Sequence, residues 1–120
     1  VVPMPNLIKV LSLIKGQKIL YTNAPRNYTK KVLKACQIED FFDGIFSIED
    51  SDFIAKPNLN SMKLFVAQYK IKKAYFVDDV KENLETAKQF GISTIWLTNE
   101  ASNHAYIDKK ISKLSDLITN

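Results

Sequence analysis

The sequence predicts an α/β fold built on a parallel sheet, and two observations lead there. Apolar runs of four or five residues alternate with stretches in which apolar residues recur at helical spacing, the pattern of repeated β-α units. The residues that follow those runs are polar: Thr22-Asn23, Glu49-Asp50, Asp78-Asp79 and Thr98-Asn99. Ligands of open parallel sheets sit beyond the carboxyl ends of the strands. The pattern that predicts the fold therefore also marks where chemistry should gather.

Residues 5–15 read as a helix, because Leu7, Leu11 and Ile14 recur at helical spacing after an N-terminal proline, and Gly16 closes it. Lys18 to Thr22 is a short buried strand. Residues 26–37 form the next helix, with Val32, Leu33, Ala35 and Cys36 on one side. Gly44 to Ile48 is a second strand, followed by an acidic loop from Glu49 to Asp52. Pro57 opens a helix in which Met62, Phe65, Val66 and Tyr69 line one face. Ala74 to Val77 is a third strand and ends at Asp78-Asp79. Val80, Leu84 and Ala87 mark a further helix that stops at Gly91, and Ser93 to Leu97 is a fourth strand. Ile107, Ile111, Leu114 and Ile118 predict a closing amphipathic helix.

Composition sets outer limits. A chain of 120 residues is one domain or part of one, and 46% hydrophobic residues supply a packed core. No apolar run is long enough to span a bilayer, so no membrane partner is expected. Val1-Val2-Pro3-Met4-Pro5 lacks the basic-then-apolar pattern of a signal peptide. Cys36 is the single cysteine, which excludes an internal disulfide and makes the reducing cytoplasm the expected location. Its apolar helix face makes it an inert buried thiol rather than a nucleophile. The net charge of +4 comes from lysines spread over every helix, paired only at Lys30-Lys31, Lys72-Lys73 and Lys109-Lys110. A nucleic-acid binder would show a basic stripe with interleaved aromatics, so solvated helix faces are expected instead.

Three sites at strand or helix ends have residues suited to chemistry. Asp78 and Asp79 are adjacent carboxylates that repel each other, and a cation such as Mg²⁺ is the usual compensation. Asn83 follows one helical turn later and can hold a metal-bound water; capping of the next helix is the plainer role for the acidic pair. Lys56 precedes a helix start, where a cation opposes the helix dipole, so a role toward phosphate and carboxylate explains it better than local stability. Thr22 and Asn23 offer a hydroxyl and backbone amides to phosphate oxygens, or form an ordinary turn.

Taken together, the strings Ile19 to Asn27, Ala55-Lys56-Pro57-Asn58 and Tyr75 to Asn83 resemble the second, third and fourth motifs of the haloacid dehalogenase superfamily. Spacings of 34 positions (22 to 56) and 22 positions (56 to 78) are natural for that core. Thr22-Asn23-Ala24 with Phe41 to Asp50 looks closest to the pyrimidine 5′-nucleotidase-like hydrolases, and the likeness runs over residues 3 to 98. It implies a Rossmann-like three-layer parallel sheet. It also implies Mg²⁺-dependent hydrolysis of phosphoric monoesters through an aspartyl-phosphate. Thr22 and the Asn23 amide would bind phosphate and Lys56 would offset negative charge. Asp79 would bind Mg²⁺ directly, with Asp78 and Asn83 in support.

The first motif of that superfamily, Asp-x-Asp-x-Thr or Val, has no counterpart before Thr22. Asp50-Ser51-Asp52 matches its core superficially, but it follows Thr22 and has Ile54 in the Thr/Val place, so a solvated loop is expected. The resemblance places the missing strand between those ending at Thr22 and Asp79, which would leave both with open edges. Residues 1–120 are therefore expected to be the C-terminal part of a single core domain, inactive alone. Partners would be the upstream segment of the same polypeptide and a small phosphorylated metabolite such as a nucleoside monophosphate. A response-regulator receiver uses similar residues in the order acidic pair, Thr, Lys, which is not the order here. The remaining alternative is a non-catalytic interaction or phosphate-binding module that has lost its nucleophile. His104 is expected in a surface loop and Trp96 in the core, while Arg26 and Tyr28 face substrate, pack against their helix or stand in solvent.

Overall fold

In the computed structural model, which describes residues 5–118, strands and helices alternate as the sequence predicts as far as Leu97. The order is α1 (Pro5–Leu13), β1 (Ile19–Tyr21), α2 (Arg26–Ala35), β2 (Gly44–Phe46), α3 (Leu59–Tyr69), β3 (Tyr75–Asp78), α4 (Lys81–Lys88), β4 (Ser93–Leu97) and β5 (Lys109–Ile111). Short 3-10 turns cover Glu39–Phe41 and Leu114–Ile118. The opening Val1 to Met4, read above as no signal peptide, lies outside the described residues. No helix among the described residues is long and apolar enough to cross a membrane.

Among the described residues all the strand pairings are parallel, in two separate sheets. One joins β1 to β2, with Ile19 opposite Gly44; the other runs β3-β4-β5. Alternate strand residues point to opposite faces, and this sorts the core into two parts. Tyr21 and Phe46 join Met62, Phe65, Phe76, Leu84, Ala87, Ile92 and Trp96 on the side of α3 and α4. Leu20 and Ile45 face the other way, onto Leu11, Leu33, Cys36 and Ile38 of the α1–α2 side. Helices thus cover both faces of β1 and β2.

No ladder joins β1 to β3, so each has only one strand partner among the described residues. The two edges are bridged by side chains. The Tyr21 ring stands 5.9 Å from that of Phe76, and also packs on Phe46 and Phe65 at 5.0 and 4.7 Å. This is the open seam expected when a central strand is absent.

Three elements differ from expectation. The closing helix over Ile107 to Ile118 is instead β5 and a 3-10 turn. The Asp108 N–H donates to the Thr94 carbonyl and the Thr98 N–H to the Ile111 carbonyl, so β4 draws this segment in as a third strand. The third helix starts at Leu59 rather than Pro57, because the Asn58 side chain caps it by accepting from the Asn60 N–H at 2.8 Å. Lys56 therefore lies in the preceding loop, joined to Pro57 by a cis peptide bond, and the dipole argument does not apply to it. The second strand stops at Phe46, since the Ser47 N–H turns to the Asp50 carboxylate and the Ile48 N–H to the Ala24 carbonyl.

Candidate active site

The three stretches singled out in the sequence meet at the carboxyl ends of β1 and β3. Lys56 makes the join. Its ammonium donates to the Tyr21 carbonyl at 3.1 Å and to the Asp78 carboxylate at 3.2 Å. It also lies 4.8 Å from the centre of the Tyr21 ring and 5.7 Å from that of Phe76, so aromatic faces help to hold the charge. Tyr21 is fixed in turn by a hydrogen bond between its hydroxyl and that of Ser61, and burial pushes its pKa up.

The adjacent aspartates have separate tasks. Asp78 is an organiser: it accepts from the Val80 N–H at 2.9 Å, from the Asn83 amide at 3.1 Å and from Lys56. Asp79 is exposed, and nothing among the described residues pairs with its carboxylate. Its carbonyl accepts from the Trp96 indole N–H at 3.1 Å, which fixes the backbone from which the free carboxylate projects. Trp96 is 3% exposed, in the core as expected.

At the end of β1, the Thr22 hydroxyl accepts from the Ala24 N–H at 3.1 Å and keeps its own proton to donate. The Asn23 side chain is committed to Lys56: it accepts from the Lys56 N–H at 2.8 Å and donates to the Lys56 carbonyl at 3.4 Å. Among the described residues nothing accepts from the Asn23 backbone N–H. Among the described residues the hydroxyl of Thr22 and the amide of Asn23 thus remain as donors without an acceptor at this strand end.

Other expectations change. Asp50 is not solvated: its carboxylate accepts from the Ser47 N–H and hydroxyl at 2.8 and 2.9 Å and pairs with Arg26. Burial alone would raise the Asp50 pKa, but these three donors outweigh it and hold the carboxyl below its ordinary range. Glu49 accepts from the Arg26 N–H at 2.9 Å, so the acidic loop is a clamp on the start of α2. Arg26 faces that clamp and the Ile45 carbonyl, while Tyr28 is exposed. His104 is not an open loop residue. It stacks on Tyr106 at 5.3 Å, lies 5.7 Å from the Trp96 ring, and its Nε2 is buried with no hydrogen-bond partner among the described residues. Cys36 is 5% exposed, as its helix face predicted. The Arg26 partner of Asp50 lies 24 residues away in sequence, so that pairing could not be read locally.

Among the described residues no group of three or more His, Cys, Asp or Glu side chains stands ready for a metal. The donors that are present suit a hard cation that keeps much of its water, as Mg²⁺ does. Asp79 is free to ligate, and Asn83 has spent its N–H₂ on Asp78, which leaves its carbonyl oxygen to accept from a metal-bound water.

Comparison with known proteins bears on the fold and the family. The haloacid dehalogenase-like hydrolase family matches residues 1–91. Among solved structures, the L-2-haloacid dehalogenase from Xanthobacter autotrophicus with chloropropionic acid covalently bound superposes with a TM-score of 0.79 at 20% identity. The match covers 97% of this chain and 59% of that one. A HAD phosphatase from Thermococcus onnurineus gives 0.80 at 21% identity, over 95% of this chain and 55% of that one. The magnesium-bound HAD-hydrolase YfnB from Bacillus subtilis gives 0.78 at 18%, over 95% and 54%. The chain therefore spans a little over half the length of these structures, and at such identities they speak for the fold alone. The fold, the order of the three stretches and the family match over most of the chain agree: it belongs to the haloacid dehalogenase-like hydrolases.

Proposed function

We propose that this chain is the phosphate- and metal-holding part of a Mg²⁺-dependent phosphoric monoester hydrolase that works through an aspartyl-phosphate. The observation that carries this reading is the Lys56 ammonium, held between the end of β1 and Asp78 beside the free donors of Thr22 and Asn23. An anion bound by those donors would have a partly buried cation beside it. The unpaired Asp79 carboxylate would repel such an anion unless a cation stood between them, and this favours a metal-assisted phosphate ester over a haloacid.

In the proposed reaction an aspartate supplied from outside residues 1–120 attacks phosphorus and the ester oxygen departs. Water then cleaves the acyl phosphate, releasing inorganic phosphate and restoring the carboxylate. Thr22 and the Asn23 amide hold phosphate oxygens, and Lys56 offsets charge on phosphate and nucleophile. Asp79 would hold Mg²⁺, with Asp78 and Asn83 in support, and the ion would polarise the phosphoryl group and stabilise its equatorial oxygens. Pyrimidine nucleoside monophosphates are the proposed substrates, on the spelling of Thr22-Asn23-Ala24 and Phe41 to Asp50, with other small phosphometabolites as the wider class. A single buried thiol at Cys36 suits the reducing cytoplasm, the proposed location.

The test is phosphate release from UMP, CMP and AMP by the gene product that carries this chain, with Mg²⁺ and with chelator. Metal-dependent release that prefers UMP and CMP, and that disappears in Asp79→Ala, is the expected result. No release from folded, Mg²⁺-supplied protein would overturn the nucleotidase assignment, and the next question would be whether the attacking aspartate exists.

A further inference from the structure

We propose that Asn23 is a positioning residue, whose side chain sets the direction of the Lys56 ammonium while its backbone amide faces the anion. The inference rests on the reading of Lys56 as the cation beside the phosphate.

Regular structure does not place Lys56. β2 ends at Phe46 and α3 begins at Leu59, so the lysine lies on an irregular connection. Local bonds shape that connection: the Ser51 hydroxyl donates to the Ile54 carbonyl at 2.8 Å, and the Asn58 N–H to the Ala55 carbonyl at 3.1 Å. Two longer ties, from the Ile48 N–H to the Ala24 carbonyl and from the Thr86 hydroxyl of α4 to the Pro57 carbonyl at 2.6 Å, also hold it. None of these bonds acts on the Lys56 backbone itself. The Asn23 side chain does, and it grips both polar groups of the Lys56 backbone, accepting from the N–H at 2.8 Å and donating to the carbonyl at 3.4 Å. Two bonds on one residue restrict its φ and ψ together, and hence the direction in which its side chain leaves the chain. The lysine stem is long and flexible. Fixing its root is what allows the ammonium to settle on the Tyr21 carbonyl and Asp78.

One residue therefore keeps two parts of the site in register. The amide of Asn23 belongs to the loop after β1, and its carboxamide holds the loop that carries the cation. Aspartate at this position would keep the acceptor for the Lys56 N–H but lose the donor to the Lys56 carbonyl. Alanine would lose both.

The experiment follows the nitrogen-15 resonance of the Lys56 ammonium, assigned by its loss in Lys56→Arg. A hydrogen-bonded, sheltered ammonium exchanges its protons slowly and gives its own signal. The wild-type chain should show that signal, Asn23→Ala should lose it to fast exchange, and Asn23→Asp should retain it in displaced form. Titration with inorganic phosphate should then show about tenfold weaker binding in Asn23→Ala, the scale of one or two lost hydrogen bonds. The same substitution should add nothing when made in Lys56→Ala.

The proposal is overturned by a wild-type chain without the sheltered signal, or by a folded Asn23→Ala that keeps it. It is also overturned if Asn23→Ala weakens phosphate equally in the Lys56→Ala background, since Asn23 would then act on the anion itself. If Asn23→Ala does not fold, an Asn23→Asp signal identical to wild type overturns it as well. Phosphate that binds nowhere, with the Lys56 signal still sensitive to Asn23, would sink the hydrolase reading and support the positioning role.

Discussion

The Lys56 ammonium lies 3.2 Å from the Asp78 carboxylate across 22 residues of sequence, and the two side chains are only 11% and 9% exposed. A pair so sheltered gains little net stability, because both ions have given up water. Its placement between the unpaired edges of β1 and β3 makes better sense as preparation for an anion than as a device for holding the fold.

Breaking the pair from one side should nevertheless be costly. Lys56→Met leaves the Asp78 charge sheltered with only the Val80 N–H and the Asn83 amide to satisfy it. The expected loss is about 3 kcal/mol in urea unfolding. Lys56→Met combined with Asp78→Asn removes both charges and should be no less stable than Lys56→Met alone. A double variant that loses the sum of the two single costs would show that the pair is not coupled.

Asp79 should behave in the opposite way. It is exposed and its carboxylate has no protein partner among the described residues, so Asp79→Ala should shift stability by no more than about 0.5 kcal/mol. The same change should remove the response of the Trp96 indole N–H resonance to added Mg²⁺, because that group donates to the Asp79 carbonyl. Chelator should return the wild-type resonance to its metal-free position. A Mg²⁺ response that survives in Asp79→Ala would place the ion elsewhere.

Much of this site was legible because its parts follow apolar runs whose strand character is strong. Thr22, Asn23, Asp78 and Asp79 sit at strand ends by simple counting, and Lys56 joined them through its spacing. The segment from Ile107 to Ile118 was not legible. Its four apolar residues fit helical spacing, while a three-residue strand containing Lys109 and Lys110 has almost no pattern of its own. The open edge of β4 decided the matter through long-range pairing, which no local window contains. The task of Asn23 was hidden for the same reason, since its partner is 33 residues away.

The clamp at Asp50 should be visible in the acid range. Its carboxyl is held below the ordinary value of about 4. A group lowered in this way stabilises the native state above its ordinary pKa, and that support fades as pH falls through the lowered native value. Wild type should therefore lose more stability than Asp50→Asn as pH drops from about 4 to about 2. The other lowered carboxyls, Glu49, Asp108 and Asp116, are common to both proteins and cancel in the difference, except where Glu49 feels Arg26 released from its partner. Near pH 7 the variant should be less stable by about 1 kcal/mol. Parallel stability curves from pH 7 to 2 would contradict the clamp.

Gly44 offers a sharper test of packing. A methyl group there would stand 2.7 Å from the Tyr69 hydroxyl oxygen and 3.2 Å from the Ile19 side chain. Tyr69 cannot swing aside freely, because its ring packs on Phe46 and Phe65 at 6.3 and 5.4 Å. Gly44→Ala should therefore cost about 1–2 kcal/mol, the scale of overpacking, despite the gain in strand propensity that alanine brings. Tyr69→Phe deletes the colliding oxygen and leaves the ring in place. In that background the alanine should cost close to nothing, since the propensity gain then offsets the tighter contacts that remain with the ring edge and Ile19. Equal costs in the two backgrounds would mean that the collision lies elsewhere, with Ile19 the next neighbour to change.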